Sequence, residues 1–276
     1  GGESLIFGPN PLAASVPGAP AYLRLWNTGQ IQQSRTSSSL GDFGVSVRWS
    51  PEWLDGTLGF YYRNATDTLP QLVVTPGLAT TVPAGACSAI GGIPLGGTNC
   101  IINRAATTPA DLQRFGKLGT YQLAYGDNIH IYGISLSKQI AGVSVGAELS
   151  YRQNMPLVSS PVQVLPAALA ALPAFAGSVP TTTDLGHGTP GALGDTWHGL
   201  INGTYILPKT FMFDTATIAS ELTWSQWARV TQNEAVFKGR SGYLVDGSTP
   251  IDKVTRNFVG LAVNFTPTWF QVWPGV

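Results

Sequence analysis

Apolar and polar residues alternate with a period of two along several stretches of the chain. Successive side chains of a β-strand point to opposite faces, so strict alternation predicts a strand whose faces meet different surroundings. The clearest stretch is 143–152, where Val, Ala, Leu and Tyr alternate with Ser, Gly, Glu and Arg. The pattern predicts seven strands, at 43–50, 57–66, 129–137, 143–152, 196–207, 214–228 and 255–266.

The connections between these strands alternate in length. Short turns on one side and long loops on the other are typical of an outer-membrane β-barrel, with periplasmic turns and extracellular loops. The strands also reach about the 9–11 residues of a tilted membrane strand. The predicted fold is therefore all-β, an antiparallel transmembrane β-barrel. The predicted turns are 51–56, 138–142 and 208–213, and the predicted loops are 67–120, 154–194 and 229–254.

Tryptophan is concentrated at the predicted strand ends. An indole ring there places an apolar surface in lipid and its N–H at the water boundary, which is the arrangement of an aromatic girdle. Core tryptophans of a soluble β-protein would instead favour the strand middles. The predicted girdle consists of Trp49, Trp53, Trp197, Trp224, Trp227, Trp269 and Trp273.

Seven strands are an odd number, whereas bacterial barrels carry an even one. An open edge in lipid would also leave backbone groups unpaired. We therefore expect about seven strands of a larger barrel, completed by further strands of a longer chain or by other subunits. The predicted organisation is an irregular N-terminal segment, 1–42, followed by a partial β-barrel domain, 43–276.

The composition agrees with a surface that is not entirely in water. Fifteen basic and fifteen acidic residues give zero net charge, and charged residues make up only 11% of the chain. Nucleic-acid binding needs clustered basic residues, and a soluble monomer normally keeps its net charge away from zero. The longest apolar run, 164–177, is interrupted by Pro166 and Pro173 and is too short for a spanning helix.

Cys87 and Cys100 lie close together in a stretch rich in Gly, Pro and Thr. An isolated, closely spaced pair favours a local disulfide and an oxidising compartment, and two free thiols are the alternative.

Catalytic motifs are weak. GVSVG at 142–146 matches a nucleophile elbow as a string, but Ser144 falls inside an alternating strand, and the elbow needs a strand-to-helix turn. His130, His187 and His198 lack metal-ligand spacing. We predict no enzyme activity, no metal and no cofactor.

Two groups of residues are candidates for function. The polar faces of the strands carry charges that would line the barrel interior, where they brace the wall as ion pairs or set the selectivity of a pore. The apolar run 164–177 either forms a short helix at the barrel mouth that captures a hydrophobic molecule, or packs against other loops. The charges are Arg48, Arg63, Glu148, Arg152, Glu221 and Arg256, and the loop residues are Val164, Leu165, Leu169, Leu172 and Phe175.

Several blocks of sequence together resemble a proteobacterial outer-membrane family, domain of unknown function 1302. They are FGVSVR at 43–48, GFYYRN at 59–64, DNIHIYGISL at 127–136, GAELSYRQN at 146–154, ASELTW at 219–224, TQNEA at 231–235 and FTPTWFQVWPG at 265–275. The resemblance implies a longer precursor with a signal peptide and further strands. It also implies a role in handling lipids, steroids or other hydrophobic compounds, and it brings no catalytic motif.

The sequence therefore predicts a non-catalytic protein of the Gram-negative outer membrane that binds or passes hydrophobic small molecules or lipids. Its expected partners are membrane lipid, hydrophobic ligands, and other subunits or the rest of its own chain, but no nucleic acid. The alternatives are a structural or anchoring subunit whose loops contact partner proteins, and a soluble β-rich binding domain.

Overall fold

The chain is an all-β protein in its computed structural model, which describes residues 4–9, 20–27, 41–77, 93–96, 99–101, 116–243 and 252–270. These residues form fifteen strands, a four-residue α-helix, α1 (Ala167–Ala170), and three short 3₁₀ helices. No helix in this described part is long and apolar enough to cross a membrane.

Seven long strands form one antiparallel sheet, which we call the main sheet. Its order is β15-β14-β13-β10-β9-β4-β3, so each long strand pairs with the long strands that precede and follow it along the chain. All seven strands predicted from the alternating pattern are present, and most extend a few residues further. Their bounds are β3 (Phe43–Trp49), β4 (Gly56–Ala65), β9 (Ile129–Ile140), β10 (Val143–Pro156), β13 (Leu193–Leu207), β14 (Thr215–Gln232) and β15 (Asn257–Thr268).

The three short turns lie at one end of the main sheet, as predicted. The tightest joins β9 to β10, where Ile140 pairs with Val143 and only Ala141 and Gly142 remain in the loop. Both have positive φ, at 48° and 83°, which is the backbone of a two-residue turn matched to the twist of the strands. Between β3 and β4, Asp55 (φ 49°) ends a 3₁₀ turn at Glu52–Leu54.

A second sheet, the loop sheet, is built from the N-terminal segment and the long loops. Its order is β1-β2-β8-β5-β11-β12. Three of its five pairings are parallel. β2 pairs with β8 and β5 with β11, which are distant in sequence, and β11 pairs with the nearby β12. Its strands are β1 (Ser4–Pro9), β2 (Tyr22–Asn27), β5 (Pro70–Pro76), β8 (Lys117–Tyr125), β11 (Val162–Leu165) and β12 (Val179–Pro180).

The loop sheet changes the predicted organisation. The segment 1–42, expected to be irregular, contains β1 and β2. The loop 67–120 contains β5, the beginning of β8 and a small hairpin of β6 (Ile93–Gly96) and β7 (Asn99–Ile101). These short strands lack strict alternation, and β2, β5 and β8 pair with segments far away in sequence, so a local pattern does not reveal them.

The buried apolar clusters belong to the loop sheet and its surroundings. Among the described residues, one cluster joins Leu157, Val162 and Ala192 to Val236 and Phe237, and others surround Val73 and Tyr121. The hydrophobic core therefore lies at the long-loop end, and the main sheet extends away from it as a single layer.

Candidate functional site

The pairing register sorts the side chains of the main sheet onto two faces. Leu149 lies beside Ile134 on β9 and Gly199 on β13, and the same row continues to Trp224 and Val259. We call this side the apolar face. The residues between them, such as Ser150, His198 and Ser225, form the polar face.

The apolar face is uncovered within the described part of the chain. Leu261 is 71% exposed, Val263 65% and Val47 58%. Sixteen large hydrophobic side chains are exposed on this face, against three on the polar face, namely Tyr61, Ile206 and Phe258. The sixteen are Phe43, Val45, Val47, Trp49, Phe60, Tyr132, Ile134, Ile140, Leu149, Ile201, Tyr205, Leu222, Val259, Leu261, Val263 and Phe265. So large an apolar surface marks an interaction surface.

Charged residues of the apolar face occur only at its two ends. Lys138 lies at the short-turn end, where its Nζ donates to the backbone oxygen of Leu54 at 2.5 Å. Asp195 lies at the long-loop end, is 1% exposed, and accepts hydrogen bonds from Tyr151 and Arg229. The middle of the face is therefore free of charge.

Five of the seven predicted girdle tryptophans lie near the two ends of the main sheet. Trp49, Trp53 and Trp269 are exposed at the short-turn end, where Trp49 packs on Trp53 at 6.1 Å between ring centroids. Trp197 and Trp224 lie on the apolar face towards the long-loop end. Trp273 lies outside the described residues.

The prediction for Trp227 is wrong, because this residue lies on the polar face. It pairs with Thr196, and its ring packs edge-on against Phe237 at 5.0 Å. The alternation already implied this, because Trp227 is an odd number of residues from Trp224.

Three tyrosines that sequence reasoning missed lie in the same row as Trp197, towards the long-loop end of the apolar face. Tyr62, Tyr132, Tyr151 and Trp197 occupy one row across four neighbouring strands of the apolar face. Ring centroids of Tyr62 and Tyr132 are 5.3 Å apart, and those of Tyr151 and Trp197 are 4.6 Å apart. The sequence pattern does not reveal this row, because the row depends on the pairing register between different strands.

An apolar groove crosses the apolar face beside the row that contains Tyr151 and Trp197. It has a volume of about 540 Å³, and Gly199, which has no side chain, lies in its lining. A Cβ at Gly199 would lie 3.2 Å from Cε3 of Trp224. Side chains along the groove are almost entirely apolar and include Leu58, Phe60, Ile134, Leu136, Leu149, Ile201, Leu222 and Trp224.

The predicted polar-face charges share one face, as the alternation implied. By register, Arg48, Arg63, Glu148, Arg152 and Glu221 all point away from the apolar face, and Arg256 immediately precedes β15 on the same side. The three ion pairs found among the described residues are Lys209–Asp214, Arg229–Asp195 and Lys238–Asp252. None of these three ion pairs includes one of the six polar-face charges.

The apolar loop residues divide into two groups. Val164, Leu165 and Leu169 are buried, so loop packing accounts for them. Leu172 is 46% exposed, and Phe175 borders a cavity of about 340 Å³ beside Val236 and Arg240. The expected short helix is α1, which begins after Pro166.

A polar network that the sequence did not reveal joins the loops to one another. The Gln71 side chain donates to the backbone oxygens of Leu157 (2.9 Å) and Ala192 (3.3 Å) and accepts a hydrogen bond from Thr189. Asn233 similarly donates to the backbone of Gly177 and Pro190.

The remaining candidate catalytic and metal-ligating residues are Ser144 and the three histidines. Ser144 lies inside β10 and accepts a hydrogen bond from Gln139. His130 shares a hydrogen bond with Tyr62, His198 shares one with Thr196, and His187 is exposed in a loop. No cluster of three metal-ligating side chains occurs in the described ranges. Cys87 lies outside them and only the backbone of Cys100 is described, so the disulfide stays a prediction.

Comparison with known proteins identifies the family. The family model described as "Protein of unknown function (DUF1302)" matches residues 1–276, and the chain belongs to this family, as the sequence blocks indicated. No curated protein matches the chain, and no solved structure matches it.

Proposed function

We propose that the main sheet is part of the wall of an outer-membrane β-barrel, with its apolar face in lipid and its polar face lining an aqueous interior. The observation that carries the proposal is the division of burial within the molecule. The loop sheet has buried apolar clusters, whereas sixteen large apolar side chains of the main sheet remain exposed on one face. A single sheet layer with one apolar and one polar face suits a boundary between lipid and water.

The dimensions of the apolar face agree with this proposal. Along β13 it extends from Trp197 to Leu207, which is about 34 Å at the usual rise of about 3.4 Å per residue. A tilt of about 40° reduces this to about 26 Å, close to the ~25 Å apolar band of outer-membrane barrels. The long loops would then lie outside the cell, and the short turns in the periplasm.

We further propose that the protein binds or passes hydrophobic small molecules or lipids, without catalysis. The supporting feature is the groove at Gly199, whose volume of about 540 Å³ lies in the usual range of ligand sites and whose lining is nearly all apolar. A hydrophobic molecule could enter it from the surrounding lipid. In the predicted capture loop, Leu172 is exposed and Phe175 borders the cavity of about 340 Å³.

The groove proposal is tested by filling the groove. Gly199→Val should lower the uptake of the neutral fluorescent probe 1-N-phenylnaphthylamine by cells that produce the protein, because the new side chain meets Trp224 inside the groove. Gly203→Val is the matched control, since Gly203 lies on the same face outside the groove lining and a Cβ there has only ordinary contacts, the nearest at 3.5 Å. Equal uptake by both variants, in membranes with equal amounts of folded protein, would contradict the proposal.

A further inference from the structure

Three arginines lie in one row across the polar face, at its long-loop end. Arg63 of β4 is the register partner of Ile131 of β9, which is in turn the partner of Arg152 of β10. The row continues from Arg152 to Thr196 of β13 and then to Trp227 of β14. The backbone N–H of Trp227 donates to the backbone oxygen of Arg256, which brings the third arginine to the same level. At a strand spacing of about 4.8 Å, Arg152 lies roughly 10 Å from Arg63 and 14 Å from Arg256 along the sheet. We call these three residues the arginine row.

The arginine row is rich in hydrogen-bond donors that lack acceptors. Nε of Arg152 and Nε1 of Trp227 are buried without a hydrogen-bond partner among the described residues. The Arg256 guanidinium lies 5.2 Å from the centroid of the Trp227 ring and donates to the backbone oxygen of Ala228. Unpaired buried donors are costly, so such groups normally have a partner in the working protein.

Two strand carboxylates of the same face lie further towards the short turns. Glu148 is four residues from Arg152 on β10, about 13 Å along the strand, and Glu221 is six residues from Trp227 on β14. Glu148 and Arg152 both line a cavity of about 330 Å³ together with His198 and Phe258, yet they form no ion pair. None of the three arginines belongs to an ion pair found among the described residues, and like charges repel one another, which favours an added anion.

We propose that the arginine row is an anion-binding site that takes a carboxylate or phosphate group entering from the long-loop end. Guanidinium groups bind such oxyanions with paired, charge-assisted hydrogen bonds. The unpaired N–H groups of Arg152 and Trp227 would gain acceptors at the same place. The inference rests on the proposed function in one respect, since it takes the polar face as the lining of a water-filled interior.

The test is binding of inorganic phosphate to the detergent-purified protein. Thermal unfolding is followed while phosphate replaces chloride at constant ionic strength, and the shift in the unfolding midpoint gives an apparent Kd. We expect phosphate to stabilise the wild type, and Arg152→Gln and Arg63→Gln each to raise the Kd about tenfold. Because Arg63 is exposed, its variant remains informative if Arg152→Gln folds poorly.

Arg48→Gln is the matched control. Arg48 is an exposed arginine of the same polar face, and its partner Gly59 lies two rows closer to the short turns than Arg63. Its loss should leave the phosphate Kd nearly unchanged. A wild type that phosphate does not stabilise, or an equal rise in Kd in all three variants, would overturn the anion site. The proposed function is judged separately by probe uptake and by lipid contact of the apolar face.

Discussion

Tyr151 donates a hydrogen bond of 2.8 Å from its hydroxyl to Oδ2 of Asp195, which Arg229 also contacts. These three residues come from β10, β13 and β14. The register of β13 against β14 shifts between Asp195 and Thr196, and this shift brings Arg229 opposite Asp195. The buried carboxylate therefore ties together three strands where the main sheet meets the loop region.

Replacing Asp195 should destabilise this junction. Asp195→Ala leaves Tyr151 and Arg229 without their shared acceptor, and we expect a loss of about 2 kcal/mol in the free energy of unfolding. Tyr151→Phe removes one hydrogen bond and should cost about 1 kcal/mol. The measurement is the urea midpoint of the detergent-folded protein. Tyr205→Phe serves as the control, because Tyr205 is an exposed tyrosine of the same face. An unchanged midpoint for Asp195→Ala would refute this role.

Gln71 should hold the loop sheet against the neighbouring loops. Gln71→Ala leaves the backbone oxygens of Leu157 and Ala192 without its two hydrogen bonds, so the loops should open more often. We expect faster cleavage within 157–192 in limited proteolysis, while the main sheet stays resistant. Gln139→Ala removes a comparable amide on the main sheet and should not change the cleavage rate. Equal rates for the two variants would show that the network does not secure the loops.

In the hairpin between β9 and β10, substitutions at two adjacent positions should change the free energy of unfolding in opposite directions. Ala141 has φ 48°, a conformation that costs a residue with a Cβ about 1–2 kcal/mol. Ala141→Gly should therefore raise the free energy of unfolding by about 1 kcal/mol, whereas Gly142→Ala should lower it by a similar amount. Both are read from the urea midpoint. A destabilised Ala141→Gly protein would be incompatible with this turn.

The ion pair between Lys238 and Asp252 gives the loop region a pH dependence. The hydrogen bond from Lys238 lowers the pKa of Asp252, and the hydrogen bond to Asp252 raises the pKa of Lys238. The aspartate contribution is complete above the ordinary pKa of about 4 and is lost as pH falls through the lowered value. The lysine contribution is complete below about 10.4 and is lost as pH rises through the raised value.

Hydrogen exchange of residues 234–243 measures this dependence. Asp252→Asn should increase exchange at neutral pH, and its difference from the wild type should vanish in acid, where the aspartate is protonated in both folded and unfolded chains. A difference between the two proteins that persists well below pH 4 would argue against the ion pair as its cause.

The main sheet was predictable because each of its strands carries its own signal. The alternation at 143–152 reports two faces in different surroundings, and Ala141-Gly142 marks the turn before it. The loop sheet was not predictable in this way. Val73 and Val74 are both buried although adjacent, so β5 has no alternation, and its partner β11 lies some ninety residues away.

The candidate functional residues were also predictable only as far as the local sequence pattern reaches. Alternation placed Arg63 and Arg152 on one face, but only the register through Ile131 shows that they occupy one row. The run 164–177 is equally apolar whether it binds a ligand or packs internally, and the burial of Leu165 and Leu169 favours packing for those residues. Composition does not separate these alternatives, because both need the same side chains.

The central claim is that the apolar face of the main sheet contacts lipid while the polar face contacts water. Site-directed spin labelling along β10 tests it directly, in protein reconstituted into lipid bilayers and with Cys87 and Cys100 replaced by serine. Labels at Val145 and Ala147 should be accessible to oxygen, which concentrates in lipid. Labels at Ser144 and Ser150 should be accessible to a water-soluble nickel complex. This alternation with a period of two is the expected result, and labels at Val145 and Ala147 that oxygen does not reach, or that nickel reaches as readily as Ser144 and Ser150, would contradict the account.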